Sequence, residues 1–252
     1  MRIRLTVGLS ALALCTSCYQ FEITAQGGYA QLALDGDLGY VNGTSQTAVQ
    51  QDIQSGFGLG DDQGSPYARV AMDFGVPVLA ASGFLFEDEG RGVLQQNFGN
   101  VTAGLTVLSD FELKSAKVSY TFDIPIVIGT IAPGVAVNFV DLSIFVRDTL
   151  GVASEDVQLQ APLPMAYLRG EIDAIPFFQL VGEVGYIKVD VEDVEASMLD
   201  VEALVEFTGL EPLNLFVGYR SIRLQGEGEI DSDNVDIDIG LGGFLVGGGI
   251  RF

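Results

Sequence analysis

The sequence predicts an all-β fold, a closed antiparallel transmembrane β-barrel of about ten strands. Three observations support this prediction. Apolar and polar residues alternate along most of the chain, turn residues divide it into segments often longer than ten residues, and the final segment is an apolar strand ending at Phe252. Strands that cross a membrane need about 9–11 residues, whereas strands of soluble proteins are usually about 5–6 residues long.

Composition narrows the class of protein. The chain has 252 residues, is 48% hydrophobic and carries a net charge of −22. Disordered proteins lack this hydrophobicity, so the chain is expected to fold. Such an acidic surface repels nucleic acid, so no nucleic-acid partner is expected. The sequence contains no histidine. We therefore expect no enzyme that relies on a histidine base, no zinc or copper site of the usual type, and no cofactor.

The first 18 residues resemble a secretory signal. Arg2 and Arg4 precede a short apolar stretch, and small residues then lead to Cys18. Two alternatives remain open at this point. Cleavage as in a lipoprotein leaves Cys18 acylated, whereas ordinary cleavage nearby removes both cysteines. In either case residues 19–252 are predicted to form a single β-barrel domain.

Alternation is the main evidence for the individual strands. At residues 115–124 the side chains of Ala116, Val118, Tyr120, Phe122 and Ile124 share one face, and polar residues occupy the other. Turn residues then place ten strands near 20–34, 66–76, 78–88, 111–124, 130–147, 164–175, 177–190, 194–208, 213–226 and 235–252. An eight-stranded barrel is the alternative, with the segments that flank residue 77 or residue 192 merged.

The connections between these strands are of two kinds. Tight, proline-containing turns lie near residues 75–78, 123–125, 174–177 and 209–213. Acidic or glycine-rich loops, usually longer, lie at 35–65, 89–110, 148–163, 191–193 and 227–234. Short turns at one end and longer loops at the other are typical of transmembrane barrels. An even strand number places both termini at the short-turn end.

Two strands change their apolar face partway along. The change occurs at about residue 140 in one strand and at Gly242-Gly243 in the last strand. A β-bulge resets which face a strand presents. The sequence therefore predicts one bulge at each of these two positions.

The C-terminal strand and the strand before it carry the most specific motifs. The first motif is Gly247-x-x-Ile250-x-Phe252, and the second is Gly218-Tyr219-Arg220-Ser221. With these motifs the chain resembles small bacterial outer-membrane β-barrels, similar to the outer-membrane protein A/W-like group. The resemblance implies an outer-membrane location and contact with outer-membrane lipid and lipopolysaccharide. It also implies insertion by the barrel-assembly machinery, with Gly247, Ile250 and Phe252 as the assembly signal.

Aromatic residues are expected to form the belts at the two membrane interfaces. The sequence contains no tryptophan. The candidates are Tyr29, Tyr120, Phe122, Tyr186, Phe207 and Tyr219.

The predicted lumen is unusually charged. Alternation places many ionisable side chains inside: Glu22, Arg69, Asp73, Lys117, Asp123, Arg169, Glu171, Glu183, Asp200, Glu202, Glu206 and Arg220. Buried charges must be paired or hydrated. One interpretation is that cations and carboxylates pair and close a narrow lumen, giving the barrel a structural role. The other is a narrow pore for small solutes or ions, which prefers cations because acids outnumber bases.

Acidic loops at the outer end suggest a different class of function. A surface binding or adhesion module acting through the loop at 35–65 and the acidic rim is the alternative to a structural or pore role. Within this rim, Asp231, Asp233 and Asp236 are spaced partly like calcium ligands. The following glycine and the distal glutamate of an EF-hand are missing, so the match is weak.

Overall fold

A computed structural model describes residues 21–43, 47–191, 194–230 and 233–252. The predicted signal segment with Cys18, and the calcium candidate Asp231, lie outside the described residues. Within these ranges the chain forms ten long strands and two short ones. They are β1 (Glu22–Val41), β2 (Gln51–Asp52), β3 (Gln63–Asp73), β4 (Pro77–Val93), β5 (Thr106–Phe122), β6 (Ile124–Ile126), β7 (Gly129–Asp148), β8 (Ser154–Ile175), β9 (Phe178–Val191), β10 (Val194–Leu210), β11 (Leu213–Ile230) and β12 (Asp233–Arg251).

The ten long strands form one antiparallel sheet that closes on itself. Each long strand pairs with the next along the chain, and β12 pairs with β1 from Thr24 opposite Arg251 to Val41 opposite Asn234. The predicted closed barrel of about ten strands is confirmed. The eight-strand alternative is wrong, because residues 74–76 separate β3 from β4, and β9 and β10 pair as two strands. No helix among the described residues is long and apolar enough to cross a membrane.

The outer loops are shorter than the sequence predicts, because the strands extend further. β1 continues to Val41, and β8 begins at Ser154 although a loop was expected as far as residue 163. The short turns lie where proline indicated them, between β3 and β4, after β5, between β8 and β9, and between β10 and β11. The barrel therefore has a short-turn end, which carries Phe252, and an opposite outer end, towards which strands such as β1 and β8 extend.

The two predicted bulges do not form. β7 keeps one register with β5 from Gly134 to Asp148 and with β8 from Gly129 to Arg147. β12 likewise keeps one register through Gly242 and Gly243. Register irregularities occur instead beside short turns, at Phe207/Leu210 and at Ile172/Ile175. The sequence pattern changes for another reason, which is a reversal of polarity along the barrel wall.

β5 shows this reversal directly. Near the short-turn end its inward residues are polar, as at Lys117, and its outward residues are apolar, as at Tyr120. Towards the outer end Phe111 and Leu113 face inward, whereas Asp110 and Glu112 face outward. The barrel thus has an apolar outer wall in one half and an apolar interior in the other.

The apolar outer wall forms a band with aromatic residues at both edges. The edge nearer the outer end, called here the outer ring, contains Tyr29, Phe139, Tyr186, Tyr219 and Phe244, all of them exposed. The edge at the short-turn end contains Tyr120, Phe122, Phe177, Phe178, Phe207 and Phe252. The six predicted belt residues therefore lie at the two edges of the band, as interface belts do.

The outer end of the barrel is capped by chain segments that fold over it. A single π-helical turn at Ile53–Phe57 and the segment after β4 pack above the strands. Phe98 contacts both Phe57 and Tyr40, with ring centroids 5.2 and 5.6 Å apart. Burial of these rings covers part of the apolar interior of the outer half.

Candidate functional site

The membrane-level half of the lumen holds a buried cluster of ions. Six charged side chains from five strands meet there, and all are buried. The cluster, called here the lumen network, consists of Arg69 on β3, Lys117 on β5, Glu183 on β9, Asp200 and Glu202 on β10, and Arg220 on β11. Three cations and three carboxylates make the network electrically neutral.

Each cation of the network contacts two carboxylates. Arg69 lies 2.5 Å from Glu183 and 3.5 Å from Glu202. Lys117 lies 3.0 Å from Asp200 and 3.4 Å from Glu183. Arg220 lies 3.0 Å from Asp200 and 3.4 Å from Glu202. Because each carboxylate likewise meets two cations, the six groups form a closed ring of ion pairs across the lumen.

Aromatic side chains complete the network. The hydroxyl of Tyr67 donates to Glu202 at 2.9 Å. Lys117 lies over the ring of Tyr167, 5.1 Å from its centroid, and Arg220 lies 4.9 Å from the centroid of Phe84. Such cation–π contacts are strongest where water is excluded. The sequence prediction did not include Tyr67. The available signal was that Tyr67, two residues before Arg69 on the same strand, faces the same side.

The other predicted lumen residues lie closer to the short-turn end. Glu206 accepts a hydrogen bond from Gln26 at 2.9 Å and lies 3.8 Å from Arg251. Arg251 also pairs with Glu22 at 3.1 Å, and Arg169 pairs with Glu171. Asp73 accepts from the backbone of Gly75, and Asp123 follows β5 directly. The predicted set therefore divides into the lumen network and a second group nearer the short-turn end, in which Glu206 is buried and the others are partly exposed. Arg251 was missed.

The residues of the predicted assembly signal line the barrel closure. Ile250 and Phe252 face outward, and the backbone of Phe252 exchanges two hydrogen bonds with Ile23, each 2.9 Å long. Gly247 faces the lumen beneath the ring of Phe216, where an added Cβ would lie 2.5 Å from the ring and 2.4 Å from the Gly27 carbonyl. Only glycine fits this position without displacing its neighbours.

The two calcium candidates among the described residues, Asp233 and Asp236, do not converge. Asp233 accepts hydrogen bonds from the Tyr40 hydroxyl and the Gly43 amide, whereas Asp236 accepts from Gln50. Residues three apart on a strand point to opposite faces. Among the described residues no group of three or more acidic, cysteine or histidine side chains is placed to hold a metal.

Comparison with known proteins concerns the fold. No protein-family profile matches the chain, and no curated protein sequence matches it. The crystal structure of the outer-membrane protease OmpT from Escherichia coli superposes with a TM-score of 0.59 and 10% identity, over 92% of this chain and 98% of that one. The chain has the fold of a bacterial outer-membrane β-barrel. At this identity the likeness extends to the fold alone.

Two further solved structures show fainter likeness. Ail, the attachment invasion locus protein of Yersinia pestis, gives a TM-score of 0.40 with 11% identity, over 92% of this chain and 99% of that one. The Pseudomonas putida toluene transporter TodX gives a TM-score of 0.35 with 7% identity, over 92% of this chain and 90% of that one. Both are too distant in shape to support an argument about this barrel.

Proposed function

We propose that this protein is an outer-membrane β-barrel whose lumen is closed by the lumen network, so that it has a structural role and does not conduct solutes freely. The apolar band between two aromatic edges supports the membrane location, because that pattern matches the lipid-facing wall of outer-membrane barrels. The polar wall beyond the outer ring then projects from the membrane into water.

The observation that carries the closed lumen is the ring of six paired charges. Each member is almost fully buried, and the three cations balance the three carboxylates. Opening a path for solutes requires at least one of these pairs to separate. Leaving a buried charge without its partner costs about 3–5 kcal/mol, so a closed network is the stable arrangement.

Single-channel recording of the refolded protein tests this proposal. We expect no current through the wild-type protein in planar bilayers, even at high salt. The Lys117→Ala variant should show intermittent cation current, because it removes side-chain volume and leaves Glu183 and Asp200 short of a cation. Lys114→Ala is the matched control, since Lys114 is exposed on the outer wall of the same strand. Steady cation-selective current through the wild type would instead support the narrow-pore alternative.

A second candidate function is binding at the outer wall. On neighbouring strands Glu87 lies opposite Glu112, and Glu89 lies opposite Asp110, all facing outward. Like charges directly opposite one another destabilise a sheet, so a cationic partner would gain from this surface. Salt-sensitive retention on a polylysine surface, lost on replacing the four acids by their amides, tests this candidate. Retention that ignores salt, or survives the amide variant, would count against it.

We also propose that the protein is not an enzyme. Support comes from the sequence, which contains no histidine to act as a general base. The likeness to a protease does not bear on this point, because it concerns only the fold.

A further inference from the structure

Two neighbouring strands separate in the outer half of the barrel. β8 and β9 pair from Ile175 opposite Phe178 as far as Ala166 opposite Tyr186. Beyond that pair β8 continues outward to Ser154 and β9 to Val191, with no pairing between them. We call this opening, between residues 154–165 of β8 and 187–191 of β9, the seam. The seam begins just beyond the paired residue Tyr186, which belongs to the outer ring.

Two prolines lie in the unpaired part of β8. Pro162 and Pro164 lie on β8 four and two residues closer to the outer end than Ala166, and both side chains are exposed. Proline has no backbone N–H to give to a neighbouring strand, and it is confined to strand edges for that reason. Each proline thus removes a hydrogen bond from β8 at the level where the sheet opens.

An apolar cavity lies behind the seam. Its volume is about 290 Å³, and inward-facing aliphatic side chains from both sides of the seam line it, including Leu159, Leu163 and Ile187. Pro162 and Pro164 also line it although they face outward. Gln225 and Glu227 line it as well and also face outward, although their strand β11 is paired there. The missing pairing between β8 and β9 is therefore what opens the cavity to the outside at the seam.

The floor of the outer half separates this cavity from the lumen network. Met198 and Asn138 are both almost fully buried below it. Asn138 accepts a hydrogen bond from Ser115 at 2.8 Å, and its amide contacts the sulfur of Met198. Lys117, a member of the network, is the next inward residue after Ser115 on β5. The cavity consequently has access at the seam and a closed base.

We propose that this cavity binds the alkyl chain of a fatty acid, which enters through the seam at the outer ring. Apolar cavities of about 150 Å³ already stay dry and take up apolar molecules. Most of the lining side chains are aliphatic, which suits a hydrocarbon chain. The outward wall beside the seam is polar, and Gln158 and Gln160 there already donate to Asp156 and Asp141, so the carboxylate of the ligand stays in water. Because the base is closed, the site holds its ligand and does not pass it across the barrel.

Binding of a dansyl-labelled undecanoic acid to the refolded protein in lipid nanodiscs tests the proposal. We expect saturable fluorescence that dodecanoic acid displaces. Leu163→Trp places bulk in the cavity and should weaken binding by roughly tenfold or more, equivalent to about 1.4 kcal/mol. Leu168→Trp is the matched control, because it adds the same side chain to the same strand on the lipid-facing side. Its binding should equal that of the wild type.

Folding is checked in the same samples. The wild-type chain contains no tryptophan, so the emission of the introduced residue reports its surroundings. If Leu163→Trp does not refold, Ile187→Trp fills the cavity from the facing strand. Fluorescence that rises without saturating, or a cavity variant that binds like the wild type, would overturn the proposal. Conductance through the lower lumen is measured separately, so failure of one proposal does not decide the other.

Discussion

At the scale of single residues, two arginines of β11 lie in environments with different energetic consequences. Arg220 is buried, contacts Asp200 and Glu202, and stacks on Phe84. Arg223, three residues later on the same strand, faces outward and pairs with Asp238 at 2.9 Å. Water and salt screen an exposed pair, so its contribution is small. A buried pair that loses one partner leaves an uncompensated charge.

We therefore predict that Arg220→Ala destabilises the barrel by about 3–5 kcal/mol. The reason is that Asp200 and Glu202 each lose a cation in a site closed to water. Arg223→Ala on the same strand should cost at most about 1 kcal/mol. Urea titration of the refolded proteins in lipid vesicles, followed by circular dichroism, measures both. Equal losses for the two variants would contradict the network as described.

Tyr40 provides a pH-sensitive contact beyond the outer ring, outside the membrane-spanning segments. Burial, together with its hydrogen bond to Asp233, raises the pKa of Tyr40 above its ordinary value of 10.0. The same bond from Tyr40, with a second from the Gly43 amide, lowers the pKa of Asp233 below 3.8. A raised tyrosine pKa stabilises the folded state below pH 10, and that contribution is lost as pH rises towards the folded value.

The free energy of unfolding of the wild type should accordingly fall between about pH 10 and pH 12, and that of Tyr40→Phe should fall less over this range. At neutral pH Tyr40→Phe should be less stable than the wild type by about 1.5–3 kcal/mol, because it loses a hydrogen bond to a charged group. Denaturant unfolding at a series of pH values measures both effects. If Tyr40→Phe loses as much free energy of unfolding as the wild type at alkaline pH, other groups cause the loss.

The alternation of polar and apolar residues predicts which face of a strand a residue occupies, but not which residue it pairs with. Period-two spacing predicts which face a residue occupies, and Arg69, Lys117 and Glu202 are buried in the structure. Which of them pair depends on the tilt of the strands and on distance across the lumen, and the sequence specifies neither. Tyr67 was missed for a related reason, since its hydroxyl matters only once Glu202 lies opposite.

At the scale of elements, the last strand closes the barrel through its backbone. Phe252 exchanges two hydrogen bonds with Ile23, and Arg251 donates its backbone N–H to the Pro212 carbonyl. These bonds join β12 to both of its neighbours at the short-turn end. The side chain of Phe252 adds an aromatic ring at the edge of the apolar band.

Deleting Phe252 should therefore reduce insertion into the outer membrane much more than a substitution in the lumen does. Phe244→Ala serves as the control, since Phe244 lies on the same strand and is 70% exposed, close to the 71% of Phe252. Cell fractionation, with the heat-dependent gel shift of folded barrels, measures insertion. Normal insertion of the deletion variant would remove the role of Phe252 in assembly.

The element boundaries show where pattern reading fails. The sequence predicts a loop at 148–163, whereas β8 begins at Ser154 and contains Pro162 and Pro164. Both prolines lie in a part of the strand that has no partner on the β9 side. The expected bulges at about residue 140 and at Gly242-Gly243 assumed a single environment on each side of the wall. The strands in fact pass from lipid into water, so the apolar face changes without any change of register.

At the scale of the whole molecule, the reversal of polarity also fixes how deep the barrel can sit in a bilayer. On β5 the outward side chain changes from apolar at Ala116 to charged at Lys114 within two residues. A lysine moved to the middle of a bilayer from this position costs about 2–4 kcal/mol, but little at the interface. Bilayers of greater thickness must therefore thin locally around this protein, at a cost that grows with the mismatch.

Refolding into phosphatidylcholine vesicles should be most efficient with short acyl chains and should decline as the chains lengthen. Refolding yields that do not depend on chain length would mean that charged side chains such as Lys114 do not limit how deeply the barrel sits in the bilayer. The expected decline would make membrane thickness itself a determinant of where this barrel can reside.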